Sequence, residues 1–102
     1  QPPVYPPFFS AIRDTGRRVV ENPLIERDGR WTMDFDQLEG CAARAGSKLL
    51  LLCSPHNPVG RVWSHEELDT LLAIARRHEL VVLADEIHAD LTYPGVRHLP
   101  LA

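Results

Sequence analysis

The chain has 102 residues, 44% of them hydrophobic and 25% charged, with a net charge of −3. That length suits one compact domain burying roughly two-thirds of its unfolded surface, and the composition is ordinary for a soluble globular protein. The charge balance gives no electrostatic case for nucleic acid or an anionic membrane; no apolar run approaches the ~20 residues of a membrane span, and no signal peptide opens the sequence.

Pro6 and Pro7 followed by Phe8-Phe9-Ser10-Ala11-Ile12-Arg13 predict a short helix, because proline in a first turn loses no needed N–H; Gly16 is its left-handed stop. Residues 17–21 read as a short strand broken by Asn22-Pro23. Residues 24–27 and 30–33 flank Asp28-Gly29, a strong two-residue hairpin signal. Asp34 caps a second helix with Gln37 as its reciprocal partner. Phe35, Leu38, Cys41, Ala42 and Ala45 lie on one face of that helix, and Gly46 ends it. Residues 48–53 show no polar alternation and predict a strand buried on both faces. Ser64 and Glu67 form a capping box for a third helix to about His78, with Leu68, Leu71, Leu72 and Ala75 turned inward. Residues 80–84 are the next buried strand, and Tyr93-Pro94-Gly95 is turn-like.

The order strand, loop, helix, strand is a right-handed crossover unit, so both strand ends share one edge of a parallel sheet. The polar stretches Cys53-Ser54-Pro55-His56-Asn57-Pro58-Val59-Gly60-Arg61 and Ala84-Asp85-Glu86-Ile87-His88-Ala89-Asp90 therefore form one ligand-binding rim. Asp85 emerges from an apolar strand, is expected to be desolvated, and needs a cationic or hydrogen-donating partner. Asn57 sits in a loop held by two prolines, which suits a positioned donor. The bland alternative is that Asn57 and Asp85 cap helix ends or pair with an arginine. Together an amide, a carboxylate and an imidazole suit a flat heteroaromatic ligand.

The motifs Pro3-Val4-Tyr5-Pro6, Ser54-Pro55-His56-Asn57-Pro58-Val59-Gly60 and Asp85-Glu86-Ile87-His88 resemble those of fold-type I pyridoxal-phosphate enzymes, the aminotransferase class I/II superfamily. The cystathionine β-lyase-like branch matches best, through Pro3-Val4-Tyr5-Pro6-Pro7-Phe8-Phe9 and His56-Asn57-Pro58-Val59-Gly60-Arg61-Val62-Trp63. The resemblance implies an α/β fold: a three-layer α/β/α parallel-type sheet, part of the large PLP-dependent transferase domain. It implies pyridoxal 5′-phosphate as cofactor and an amino-acid substrate, with the parent enzyme either splitting a C–S bond or transferring the amino group. Tyr5 would stack on the pyridine ring, Asn57 would donate to its phenolic oxygen, and Asp85 would hold the ring nitrogen protonated. Ile87 would press on the opposite ring face, and His88 stands where many aminotransferases carry a tyrosine. Cis bonds are implied at Asn57-Pro58 and Pro2-Pro3.

The same resemblance requires a Schiff-base lysine in a Ser/Lys-rich loop, a glycine-containing phosphate cradle and a substrate-binding arginine. The single lysine, Lys48, starts a strand and lies at its wrong end. Residues 1–102 are thus expected to be part of the large domain, cut from a longer chain, without a catalytic residue and inactive alone. Uncovered strand edges predict self-association, with a homodimer as the expected assembly. The expected compartment is cytoplasmic, and no nucleic-acid or membrane partner is expected. Cys41 and Cys53 read as small buried hydrophobes, His56 as a loop hydrogen-bonder, and His65, His78 and His98 as helix-end or surface residues. Glu66, Glu67 and Asp69 read as a solvated helix face, and Trp31 and Trp63 as packing residues. Two rival readings are a metal-dependent hydrolase using Asp85, His88, Asp90 and His56, and a non-catalytic association module.

Overall fold

Parallel neighbours cannot be joined by a tight turn, so the segment between them must cross over the sheet. The computed structural model, which describes residues 1–101, uses a helix for that crossover. The elements run α1 (Pro7–Asp14), β1 (Ile25–Arg27), β2 (Arg30–Thr32), α2 (Phe35–Ala42), β3 (Leu49–Cys53), α3 (His65–Arg77) and β4 (Val81–Asp85). Strands β3 and β4 pair in parallel, from Leu49 opposite Val81 to Cys53 opposite Asp85. The architecture is α/β with a parallel sheet.

Local chemistry accounts for most boundaries. Asp28 and Gly29 both take positive φ, 51° and 74°, the requirement of the hairpin turn between the antiparallel β1 and β2. Ser64 and Glu67 close a complete capping box on α3. At α2 the Asp34 carboxylate accepts from the Gln37 N–H, but the expected reciprocal bond is missing. Buried Asn22 takes the Gln37 side chain instead, donating to Gln37 Oε1 and to the Asp34 carbonyl, each at 3.0 Å. Helix α2 stops at Ala42, so Ala45 falls outside it and is exposed. Residues 17–21 do not form the expected strand: among the described residues they have no ladder partner, and Val20 faces solvent.

Side chains alternate across the sheet, and only one face is fully covered. Leu50, Leu52, Val82 and Ala84 share the face that carries α3. Leu52 and Leu71 reach 0% exposure there, packed with Leu38, Trp63, Leu68 and Ile74, while Leu24 and Met33 enter from the hairpin's flanks. On the other face Leu49, Val81 and Leu83 are 44, 64 and 55% exposed. The expectation of strands buried on both faces is therefore corrected: α2 and α3 form a single helical layer over one side. Helix α1 lies across a cleft of about 610 Å³ from β3, between Phe8, Phe9 and Ile12 on one wall and Leu38, Leu49 and Leu51 on the other.

Uncovered apolar strand surface of this kind favours pairing with another chain. The isolated chain is expected to self-associate as its concentration rises, and Leu83→Lys to shift it toward monomer. Sedimentation velocity tests this; a single monomeric species of the parent chain at every concentration refutes it.

Candidate functional site

Because β3 and β4 run the same way, their last residues, Cys53 and Asp85, lie side by side where both chains leave the sheet. The Ser54 N–H donates to the Asp85 carbonyl at 3.0 Å, carrying the ladder one step further. Residues 54–61 then fold back on themselves: the His56 N–H donates to the Arg61 carbonyl at 2.7 Å, and the Gly60 N–H to the His56 carbonyl at 2.8 Å. Gly60 has φ of 69°, a left-handed value that a side chain would resist. The Asn57-Pro58 and Pro2-Pro3 bonds are cis, as the resemblance implies; Ser54-Pro55 is cis as well, which it does not.

The N-terminal segment docks on this loop. The Tyr5 N–H donates to the Asn57 carbonyl at 3.0 Å, and His56 Nε2 lies 2.9 Å from the Pro3 carbonyl. A carbonyl only accepts, so Nε2 carries the proton. Tyr5 stays 45% exposed, its ring set edge-on to Phe8 at 6.3 Å between centroids. Asp85 is half-buried, and its Oδ1 accepts the Ile87 N–H at 3.2 Å, closing a small turn. Among the described residues no ion pair involves Asp85, so the bland alternative of an arginine partner does not hold for it. Ile87 is 78% exposed, and His88 is half-buried one residue further along. Tyr5, Asn57 and Asp85 are thus linked through Cys53: Asn57 bonds its thiol, and Asp85 stands opposite it in the ladder.

Several side chains turn out differently from expectation. Glu67 is not a solvated residue: it accepts two bonds from the Arg61 guanidinium, at 2.7 and 2.6 Å, and one from the Ser64 N–H at 2.8 Å. Arg61 is buried, donates also to the Trp31 carbonyl at 2.6 Å, and lies 4.8 Å from the centre of the Trp63 ring. Breaking a pair this enclosed typically costs about 3–5 kcal/mol. His98 is not a surface residue; its side chain is 6% exposed beside Glu86. His78 does stand at a helix end, where it and Arg77 hold the Glu39 carboxylate of α2. His56 is the loop hydrogen-bonder expected of it. Among the described residues no three His, Cys, Asp or Glu side chains gather as a metal group would require, and His56 is turned to Pro3. The hydrolase reading loses its ligand set.

Cys53 is the contributor that sequence reasoning missed. Its thiol accepts the Asn57 N–H and donates to the Pro55 carbonyl, each at 3.4 Å, and its own carbonyl accepts from Trp63 Nε1 at 2.9 Å. The available signal was its place at the end of a strand, three positions before the proline-rich loop's histidine and at the same rung as Asp85. Lys48 precedes β3 and pairs through its carbonyl with Val81, about 16 Å of strand from the rim. The rim therefore offers a half-buried carboxylate with an uncommitted oxygen, an amide, and two exposed apolar side chains, Tyr5 and Ile87. That set fits a flat ring carrying a basic nitrogen.

Comparison with known proteins gives a consistent result. Residues 1–100 match the family Aminotransferase class I and II. Cystathionine beta-lyase PatB of Bacillus subtilis (strain 168) is 44% identical over 102 residues, all of this chain and 26% of that protein. Cystalysin from Treponema denticola, whose crystal structure contains a pyridoxal 5′-phosphate cofactor, superposes with a TM-score of 0.95 at 46% identity, over 98% of this chain and 25% of that one. The PLP-bound C-S lyase from Staphylococcus hominis gives a TM-score of 0.95 at 38% identity, over 98% and 26%. The chain spans about a quarter of the length of the relatives it matches.

Burial holds the His56 imidazole below its ordinary value of 6.5, and the Pro3 carbonyl only partly opposes this. The group is neutral in the folded chain and takes up a proton near the ordinary value when unfolded, so the unfolded state binds more protons below that pH. Stability is expected to be full above about 6.5 and to fall as the pH drops through and below it. Urea midpoints between pH 8 and 5.5 measure this, with His56→Gln expected to flatten the slope; an unchanged slope in that variant refutes the assignment.

Proposed function

The chain belongs to the aminotransferase class I and II family, and we propose that it is the portion of a pyridoxal-phosphate enzyme that grips the cofactor ring. The parent enzyme is proposed to act as a C–S β-lyase on an amino-acid substrate. One observation carries the reading: Asp85 stands at the end of β4, half-buried, with Oδ1 accepting from the Ile87 N–H and its other oxygen without a partner among the described residues. The relatives named above, two of them holding the cofactor, support it.

When bound, pyridoxal phosphate supplies an electron sink for charge developing at the substrate's Cα. The Asp85 carboxylate keeps a proton on the ring nitrogen, and that positive charge is what gives the sink its depth. Asn57 donates its side-chain N–H to the phenolic oxygen, favouring the ionised form. Tyr5 covers one face of the ring, an offset contact worth about 0.5–1.5 kcal/mol beyond area burial. Ile87 covers the other and keeps water from it. His88, half-buried after Ile87, would take the place of the tyrosine that many aminotransferases carry there. No residue of this chain is assigned as the Schiff-base lysine, because Lys48 is at the far end of β3. The chain alone is proposed to be inactive, and the whole protein to be a cytoplasmic homodimer.

In the full-length, cofactor-loaded protein, Asp85→Asn is expected to lower kcat by about 100-fold or more, the scale seen when a group aimed at developing charge is removed. Release of thiol, ammonia and keto acid from a cystathionine-like substrate measures this. Activity within a few-fold of the parent refutes the role of Asp85. Amino transfer to a keto acid without thiol release would replace the lyase assignment with a transaminase.

A further inference from the structure

We propose that Cys53 is a positioning residue for Asn57: its neutral thiol anchors the loop so that the Asn57 amide is held toward the cofactor beside Asp85. The inference rests on the reading of Asn57 and Asp85 given above, and it assigns a task to a side chain with no contact of its own to the ring.

The geometry is as follows. Cys53 is 3% exposed and is the last residue of β3, on the same sheet face as Asp85. Its sulfur accepts the Asn57 N–H and passes its own hydrogen to the Pro55 carbonyl, both at 3.4 Å. A thiol can do both only while protonated, since a thiolate has nothing to donate. A thiolate would also put a second negative charge beside the Asp85 carboxylate. Burial pushes the Cys53 thiol up, Asp85 adds to this, and the Asn57 N–H opposes it.

The consequence falls on Asn57. Its N–H goes to Cys53, its carbonyl accepts from Tyr5, and the next residue is a proline with no N–H at all. Every main-chain polar group on either side of the side chain is therefore committed. What remains free is the pair of side-chain torsions. Without the sulfur the Asn57 N–H has no acceptor, and the loop must rotate to find one, carrying the amide with it.

Two readouts on the full-length, pyridoxal-phosphate-loaded protein test this: the pH midpoint of the cofactor's visible absorption change, and the melting temperature. Donation from Asn57 favours the ionised phenolic oxygen, so weakening it raises the midpoint. Asn57→Ala is the yardstick, with an expected rise of roughly 0.5–1 pH unit. Cys53→Ala and Cys53→Val are expected to raise the midpoint by at least half of that rise, the valine filling the space the alanine leaves. Cys53→Ser, which can still accept and donate, is expected to stay near the parent. Parent-like midpoints in Cys53→Ala or Cys53→Val, with Asn57→Ala shifted, overturn the proposal even if melting temperature falls, because the thiol is then only packing. A parent-like midpoint in Asn57→Ala overturns the underlying reading of Asn57, and the role of Cys53 with it.

Discussion

The last rung of the β3–β4 ladder, where Cys53 stands opposite Asp85, is the constraint on which the rest of the site depends. Side chains in a strand alternate with a period of two, so a slip of one residue would exchange the two faces of β4. Asp85 would then turn toward α3, and Val82 and Ala84 would leave the core. Register is held where apolar residues fill one face, and here Leu52, Leu71 and Trp63 fill it to near-complete burial. The packing of a core with no polar function thus decides where a single carboxylate points.

A second level of order comes from buried polar ties outside the sheet. Arg61 joins the Trp31 carbonyl of the hairpin to Glu67 at the start of α3, and Glu67 also closes the cap on Ser64. Asn22 accepts from Gln1 and donates to Asp34 and Gln37, fastening the N-terminal stretch to α2. His56 reaches Pro3 from the loop. Each is an enclosed polar group with a specific partner, and such groups are costly to leave unpaired. They place the irregular segments as firmly as hydrophobic contact places the helices.

Much of this was legible in the chain. The Asp28-Gly29 turn, the capping box of α3 and the unbroken leucines of β3 all act within a few residues, so local chemistry reveals them. Tyr5, Asn57 and Asp85 stand out in the sequence only through motif resemblance; in the fold Tyr5 bonds the Asn57 carbonyl, Asn57 bonds the Cys53 thiol, and Cys53 pairs with Asp85. What escaped depends on distant partners. Residues 17–21 look like a strand but have no neighbour to pair with among the described residues, and Glu67 looks like any surface acid until Arg61 is brought beneath it. Cys53 resembles the leucines before it, because a thiol in an apolar run gives no sign that its lone pairs are in use. The two-sided burial read from β3 failed because apolarity signals what a strand tolerates against it, not which layer supplies it.

The bond from the Tyr5 N–H to the Asn57 carbonyl has one more implication. The two side chains proposed to meet the ring belong to segments joined through backbone atoms, which no exchange of side chain alters, short of proline at the donor. An aromatic of another size at the fifth position would therefore leave the spacing between the two segments untouched. Such a scaffold fixes the distance between the two segments independently of the side chains they carry.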